Sequence, residues 1–176
     1  MSEKAEFKIE KLDPKKHGRE QFVCESPELT AFLQKQARKE MQARASASYV
    51  LVQESNPSGI IGFYTLSQTS VELDKLPEKL KKKLPHYDQV GATLLGRLAR
   101  HQDWKGKKIG ELLLIDALRR ALRHTEGVGA VVVVTDPKDE KASEFYRRHG
   151  FLPLDESRMF LPMSEIVPCE TSETDG

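Results

Sequence analysis

Apolar and polar residues alternate along Phe7-Lys8-Ile9-Glu10, the period of a half-buried strand. The period changes after Ser26-Pro27-Glu28. Leu29, Phe32, Leu33 and Gln36-Ala37 recur at helical spacing, which predicts a helix to about Arg44. Ser26 suits its cap, Pro27 its first position and Glu28 its positive end. β-rich residues 48–52 and 60–66 flank the turn cluster Asn56-Pro57-Ser58-Gly59, the pattern of a hairpin. Leu76, Leu80 and Leu84 predict a short helix bracketed by Pro77 and Pro85, with Lys79, Lys81, Lys82 and Lys83 between them.

Residues 93–99 read as a strand and 104–110 as a glycine- and lysine-rich loop. Residues 111–124 form the clearest helix, with Leu114, Ile115, Leu118, Ala121 and Leu122 on its apolar side. The near-continuous apolar run 128–135 fits a strand buried on both faces in a parallel arrangement. Asp136-Pro137 is expected to cap a helix that runs to His149, with Gly150 ending it in the left-handed conformation. Residues 151–154 and 158–163 are the final strand candidates, and Pro162 places the last at a sheet edge. The acidic tail 167–176 is expected to be disordered.

A chain of 176 residues with no internal repeat suits one domain, expected over 1–166. Its longest purely apolar run, 130–134, is far too short to span a bilayer, and residues 1–6 carry no apolar signal region. A cytoplasmic home follows as the expectation. Twenty-eight Lys and Arg against 27 Asp and Glu give a net charge of +1, so no global field draws the chain to nucleic acid and any such contact needs a local patch. Cys24 and Cys169 lack metal or disulfide spacing, and no metal site is expected.

Within this layout, Gly106-Lys107-Lys108-Ile109-Gly110 joins a strand to a helix. Unpaired N–H groups and the positive dipole end favour an anion there, and Lys105, Lys107 and Lys108 add charge. The loop matches neither G-x-x-x-x-G-K-[ST] nor G-x-G-x-x-G, which disfavours ATP and NAD. Taken alone, it is equally an ordinary glycine turn with solvated lysines.

The wider pattern Leu95-Gly96-Arg97-Leu98-Ala99, Gln102 to Gly110, and Phe145-Tyr146-Arg147-Arg148-His149-Gly150-Phe151 resembles the GNAT acetyltransferases. Phe22-Val23-Cys24, Ile61-Gly62-Phe63-Tyr64-Thr65-Leu66, Asp116-Ala117-Leu118-Arg119-Arg120 and Met159-Phe160-Leu161 resemble, more narrowly, the GNAT toxins of bacterial toxin–antitoxin pairs. The resemblance implies an α/β (α+β) fold: a mixed, mostly antiparallel sheet flanked by helices, with a splayed central strand pair. It implies that Lys105, Gly106, Lys107, Lys108, Ile109, Gly110 and Glu111 hold the acetyl-CoA pyrophosphate. Backbone groups of Leu98, Ala99 and Arg100 would pair with the pantetheine arm, and Ser143 would also touch acetyl-CoA. Asp103 stands where the family usually has Gln or Arg, and Lys108 where it has a small residue. An acidic side chain near phosphate is repulsive, so these departures bear on CoA affinity rather than on fold.

By the same resemblance Tyr146 donates a proton to the departing thiolate. A phenol of pKa ~10 is protonated at neutral pH and can do so. Periodicity alone reads Tyr146 as a packing residue. His17, His86, His101, His124 and His149 are scattered and read as surface histidines, so no general base is evident. An α-amino group, of pKa ~7.7–8.0, needs little help from one. Arg147 and Arg148 adjoin Tyr146 and are candidates for tRNA phosphate contact. Arg97 either faces the acceptor or is an ion-pair partner. Tyr64 either lines the acceptor site or packs in the core or rim, and Trp104 is expected to pack in its loop.

The expected function is acetyl transfer from acetyl-CoA to the α-amino group of aminoacyl-tRNA in a ternary complex. The resemblance adds a ribbon-helix-helix antitoxin and a homodimer. Two rivals stand beside it: acetylation of a small amine or protein N-terminus, and a CoA-binding regulatory protein with little catalysis.

Overall fold

The alternation at residues 7–10 becomes strand β1 (Phe7–Lys11), which pairs antiparallel with β2 (Ala47–Gln53). The hairpin is present: β2 pairs antiparallel with β3 (Gly62–Glu72), with Val50 opposite Phe63 and Tyr49 opposite Tyr64. The remaining strands are β4 (Gln89–Arg100), β5 (Val132–Thr135), β6 (Leu152–Pro153) and β7 (Met159–Pro162). All seven belong to one sheet in the order β1-β2-β3-β4-β5-β7-β6. The computed structural model describes residues 6–168, so most of the tail expected to be disordered lies outside the described residues.

Two compact units divide the chain. The first comprises residues up to Ser67 together with Leu95–Ala117. Here the expected first helix is α1 (Pro27–Ala31) and α2 (Ala37–Gln42), separated by one wide π-type segment, Phe32–Gln36. Ser26 caps it as expected, its side chain accepting from the Leu29 N–H. The helix ends two residues short of Arg44, which takes φ +58° and closes a C-terminal motif in which the Ala45 N–H donates to Glu40 O. Phe32, Leu33 and Ala37 bury against Phe22, Val50 and Phe63.

The helix after the loop is α4 (Ile109–His124); it begins at Ile109, so Ile109 and Gly110 belong to its first turn rather than to the loop. Its buried side is Ile109, Leu113, Leu114, Ala117 and Ala121. Ile115, expected on that side, is 43% exposed, because the buried stripe follows the 3.6-residue turn from Ile109 through Leu113. Gly62 permits the approach of this helix. A Cβ there would lie 2.8 Å from Leu113 Cδ1 and 3.0 Å from Ala99 O.

The second unit comprises Gln68–Leu94 and residues from Leu118 onward. It contains the short helix α3 (Glu78–Lys81), whose Leu80, with Leu76 before it and Leu84 after it, packs toward Val90, Val132 and Phe160. β5 is buried throughout but starts at Val132, and Val128 is exposed. On one side β5 pairs antiparallel with β7. Helix α5 (Glu140–Arg148) begins later than expected, and its cap is Asp139 rather than Asp136-Pro137. The Asp139 carboxylate accepts from the Ala142 N–H. Gly150 has the expected left-handed φ, +95°.

Pro162 does not mark an edge: β7 lies between β5 and β6. The Met163 N–H donates to Val131 O beside β5, so Pro162, one residue earlier, directs its missing N–H to the other side. There β6 has already ended, since it pairs only with Phe160 and Met159.

Candidate functional site

In the first unit the anion-binding candidate is the segment from Lys105 to Glu111. Its approach is tightly held. The His101 N–H donates to Ile61 O, the Gln102 N–H to Val23 O, and a single 3-10 turn spans Gln102–Trp104. The His101 tautomer is set by its partners: Nδ1 accepts from the Asp103 N–H, and Nε2–H donates to Gln21 O. Trp104 packs edge-on to Phe7, with centroids 5.9 Å apart, and Lys107 Nζ stands 5.7 Å from its ring centre. Loop packing is therefore the role the structure gives Trp104.

Beyond it Gly106 takes φ +79° and Lys108 φ +58°. A Cβ at Gly106 would meet nothing within 4 Å, so its backbone is open to a ligand. Lys108 holds a conformation that glycine adopts at no steric cost. Its carbonyl accepts from the Leu112 N–H, which starts α4, and its side chain is exposed with those of Lys105 and Lys107. Ile109 is fully buried and anchors the turn, while Gly110 and Glu111 are half-buried. The first-turn amides of α4 thus lie beside three lysines, an arrangement suited to a polyphosphate. Asp103 is exposed, and one Lys105 contact, 3.8 Å to Glu25, spans two exposed side chains.

Upstream in β4, Ala99 is buried, while Leu98 and Arg100 are half-buried. Arg100 Nη2 donates to Glu25 Oε1 at 3.3 Å. Arg97, for which an acceptor contact and an ion pair were both open, lies beside an acidic partner. Its guanidinium lies 3.7 Å from the Phe32 ring centre and 3.8 Å from Glu40 Oε2. Tyr64 presents no surface to an acceptor. It is wholly buried, stacks on Tyr49 at 5.2 Å and donates to Asp116 Oδ2 at 2.5 Å. Of its alternatives, core packing is the one present.

In the second unit the chemistry lies on α5. Tyr146 is buried, with Phe145 and Phe151 rings 5.3 and 5.2 Å away. Burial raises its phenol above the ordinary pKa, and a hydrogen bond with the Thr135 side chain partly opposes that rise. The phenol is therefore neutral and proton-bearing throughout the physiological range. Ser143 Oγ donates to Asp139 O within the first turns. Arg147 and Arg148 are exposed in the last turn, with no ion pair among the described residues. His149 Nδ1–H donates to Phe145 O at 2.8 Å, so this nitrogen is occupied by the helix end.

One histidine departs from its surface expectation. His17 is buried, accepts from the Asp13 N–H at Nδ1 and donates through Nε2–H to Glu10. Partners such as Asp116, Glu40 and Thr135 were not legible as site residues. Each meets its partner only through the tertiary structure. Among the described residues no His, Cys, Asp or Glu cluster could hold a metal ion, and no helix is long and apolar enough to cross a membrane.

Residues 45–153 match the family model described as an acetyltransferase (GNAT) domain. Over 167 residues the chain is 32% identical to the probable toxin TacT of Sinorhizobium fredii, covering 90% of this chain and 92% of that protein. It is 27% identical over 146 residues to the tRNA-acetylating toxin of Mycobacterium tuberculosis, covering 82% and 85%. Its fold superimposes on AtaT complexed with acetyl-methionyl-tRNAfMet with a TM-score of 0.84 and 27% identity, over 92% of this chain and 97% of that one.

Proposed function

The chain belongs to the GNAT acetyltransferase family, and from that membership we propose that it acetylates the α-amino group of an aminoacyl-tRNA and so acts as a translation-blocking toxin. The observation that most supports this reading is the near full-length likeness to AtaT in complex with an acetylated aminoacyl-tRNA, alongside the sequence likeness to a tRNA-acetylating toxin. The proposal takes residues 1–166 as one acetyltransferase domain, working in the cytoplasm as a homodimer restrained by a ribbon-helix-helix antitoxin.

Bound acetyl-CoA would supply an activated thioester. The residues present fit it: an open Gly106 backbone, the first turn of α4 at Ile109, Gly110 and Glu111, and the charges of Lys105, Lys107 and Lys108 suit its pyrophosphate. Leu98, Ala99 and Arg100 would offer backbone groups to the pantetheine arm, and Ser143 a further polar contact. Arg147 and Arg148 would meet tRNA phosphates. In this reading Tyr146 gives its proton to the sulfur as the carbon–sulfur bond breaks. A substrate amine of pKa ~7.7–8.0 is partly neutral at pH 7 and attacks once positioned.

Purified protein and Tyr146→Phe are incubated with labelled acetyl-CoA and a pool of charged tRNA. Label on the aminoacyl group is expected, with kcat down about 100-fold in the variant, the scale of a lost general acid. No label on tRNA would overturn the reading. Label moving to a small amine or a peptide N-terminus would favour the first rival, and acetyl-CoA binding without turnover the second.

A further inference from the structure

A charge conflict stands at the entrance to the anion-binding loop. Asp103 comes two residues before Lys105, and a carboxylate there would either oppose a phosphate or neutralise one of the lysines that favour it. The structure shows neither arrangement. Among the described residues Asp103 makes no ion pair with Lys105, Lys107 or Lys108. Its carboxylate turns back instead, 3.8 Å from His101 Nδ1, and borders a cleft of about 180 Å³ with Gln21, Gln53 and Asn56. The hydrogen bond beneath it explains that direction. His101 caps the 3-10 turn Gln102–Trp104, and its Nδ1 accepts from the Asp103 N–H at 3.1 Å. The first amides of a helical turn lack partners of their own, so a side-chain acceptor at the cap fixes where one of them points. The ring is itself held. Nε2–H donates to Gln21 O at 3.3 Å, Phe22 stands edge-on with ring centres 5.7 Å apart, and the His101 backbone N–H donates to Ile61 O at 2.7 Å. A histidine accepts through Nδ1 only as the neutral Nε2–H tautomer.

We propose that His101 is a positioning residue for the acetyl-CoA phosphates: by accepting from the Asp103 amide through Nδ1, it keeps the Asp103 carboxylate on the cleft side of the turn and leaves the charges of Lys105, Lys107 and Lys108 unopposed. The inference rests on the reading of Lys105 to Glu111 as the phosphate site of acetyl-CoA. Neither His101 nor Asp103 touches the cosubstrate in it. Without the ring acceptor the Asp103 amide turns to water and the turn loosens. The carboxylate is then free to pair with the loop cations, where it weakens their pull on a phosphate.

Calorimetry with acetyl-CoA at low salt compares three variants. His101→Asn keeps an acceptor near the place of Nδ1, His101→Gln carries its amide out to the place of Nε2, and His101→Leu keeps bulk alone. His101→Asn should bind within about twofold of wild type, since asparagine is itself a good cap. His101→Gln and His101→Leu should each bind about fivefold more weakly, the worth of one hydrogen bond. Asp103→Asn should change little in the wild-type background and restore most of the loss beside His101→Leu, because the charge acts only once it is released. An equal loss in all three variants, or no recovery from Asp103→Asn beside His101→Leu, would overturn the inference. A second arm needs no ligand. Nitrogen NMR of the His101 ring in mildly alkaline buffer should show a bare Nδ1 and a protonated Nε2, and the Asp103 amide should exchange faster in His101→Gln than in His101→Asn. The opposite tautomer, or equal exchange, would count against the inference as well. Wild type that binds no acetyl-CoA would count against the proposed function, and the ring and exchange measurements would still decide whether His101 holds Asp103.

Discussion

Lys108 combines two properties that usually belong to different residues. Its backbone is left-handed, which costs an L-residue roughly 1–2 kcal/mol, and its side chain adds charge beside a helix N-terminus. The two can be separated. Lys108→Gly removes the strain but loosens the unfolded chain, so stability should hold or rise by up to about 1 kcal/mol in urea unfolding. The same variant should raise KM for acetyl-CoA by about two- to fivefold, the worth of one exposed charge. A fall in stability would show that the lysine makes a compensating contact. The loop lysines were legible in the sequence because spacing alone put them before a helix. The positive φ at Lys108 was not, since nothing in a lysine announces a left-handed backbone.

At the scale of elements, β1 and the turn after it are tied by charge. Glu10 meets Lys16 at 2.7 Å, His17 at 2.8 Å and Lys8 at 3.1 Å. Hydrogen bonds from Lys16 and His17 hold its carboxyl down to about 2, against an ordinary 4.5. A carboxylate whose folded pKa lies below its unfolded value stabilises the fold fully above the unfolded value and loses that stabilisation as pH falls through the folded one. The margin of wild type over Glu10→Gln should therefore be constant above about pH 5 and shrink toward pH 2, as read from unfolding midpoints across that range. A margin independent of pH would show that the Glu10 charge does not matter. The sequence displayed β1 by its alternation. It hid His17 because burial there depends on partners, Glu10 and the Asp13 amide, that only the folded chain brings to its ring.

For the whole molecule, charge constrains the partner. A net charge of +1 offers no general attraction to RNA, so the proposed tRNA contact would rest on local cations such as Arg147 and Arg148. Affinity for charged tRNA should fall steeply with salt, and each of Arg147→Ala and Arg148→Ala should reduce the log–log slope by about 1. An unchanged slope in both would place the phosphate contacts elsewhere on the surface.

Local pattern determined the elements themselves. Alternation marked β1, a turn cluster marked the hairpin, Ser26 and Gly150 marked helix ends, and the Phe-Tyr segment marked α5, because each signal is written within a few neighbouring residues. Tertiary structure decided what those signals could not carry. It set the true start of α4, the interior place of β7 despite Pro162, and the burial of Tyr64 on Asp116. The physical reason is common to all three: each depends on which distant backbone or side chain arrives opposite. Packing makes that choice, and no short-range propensity does.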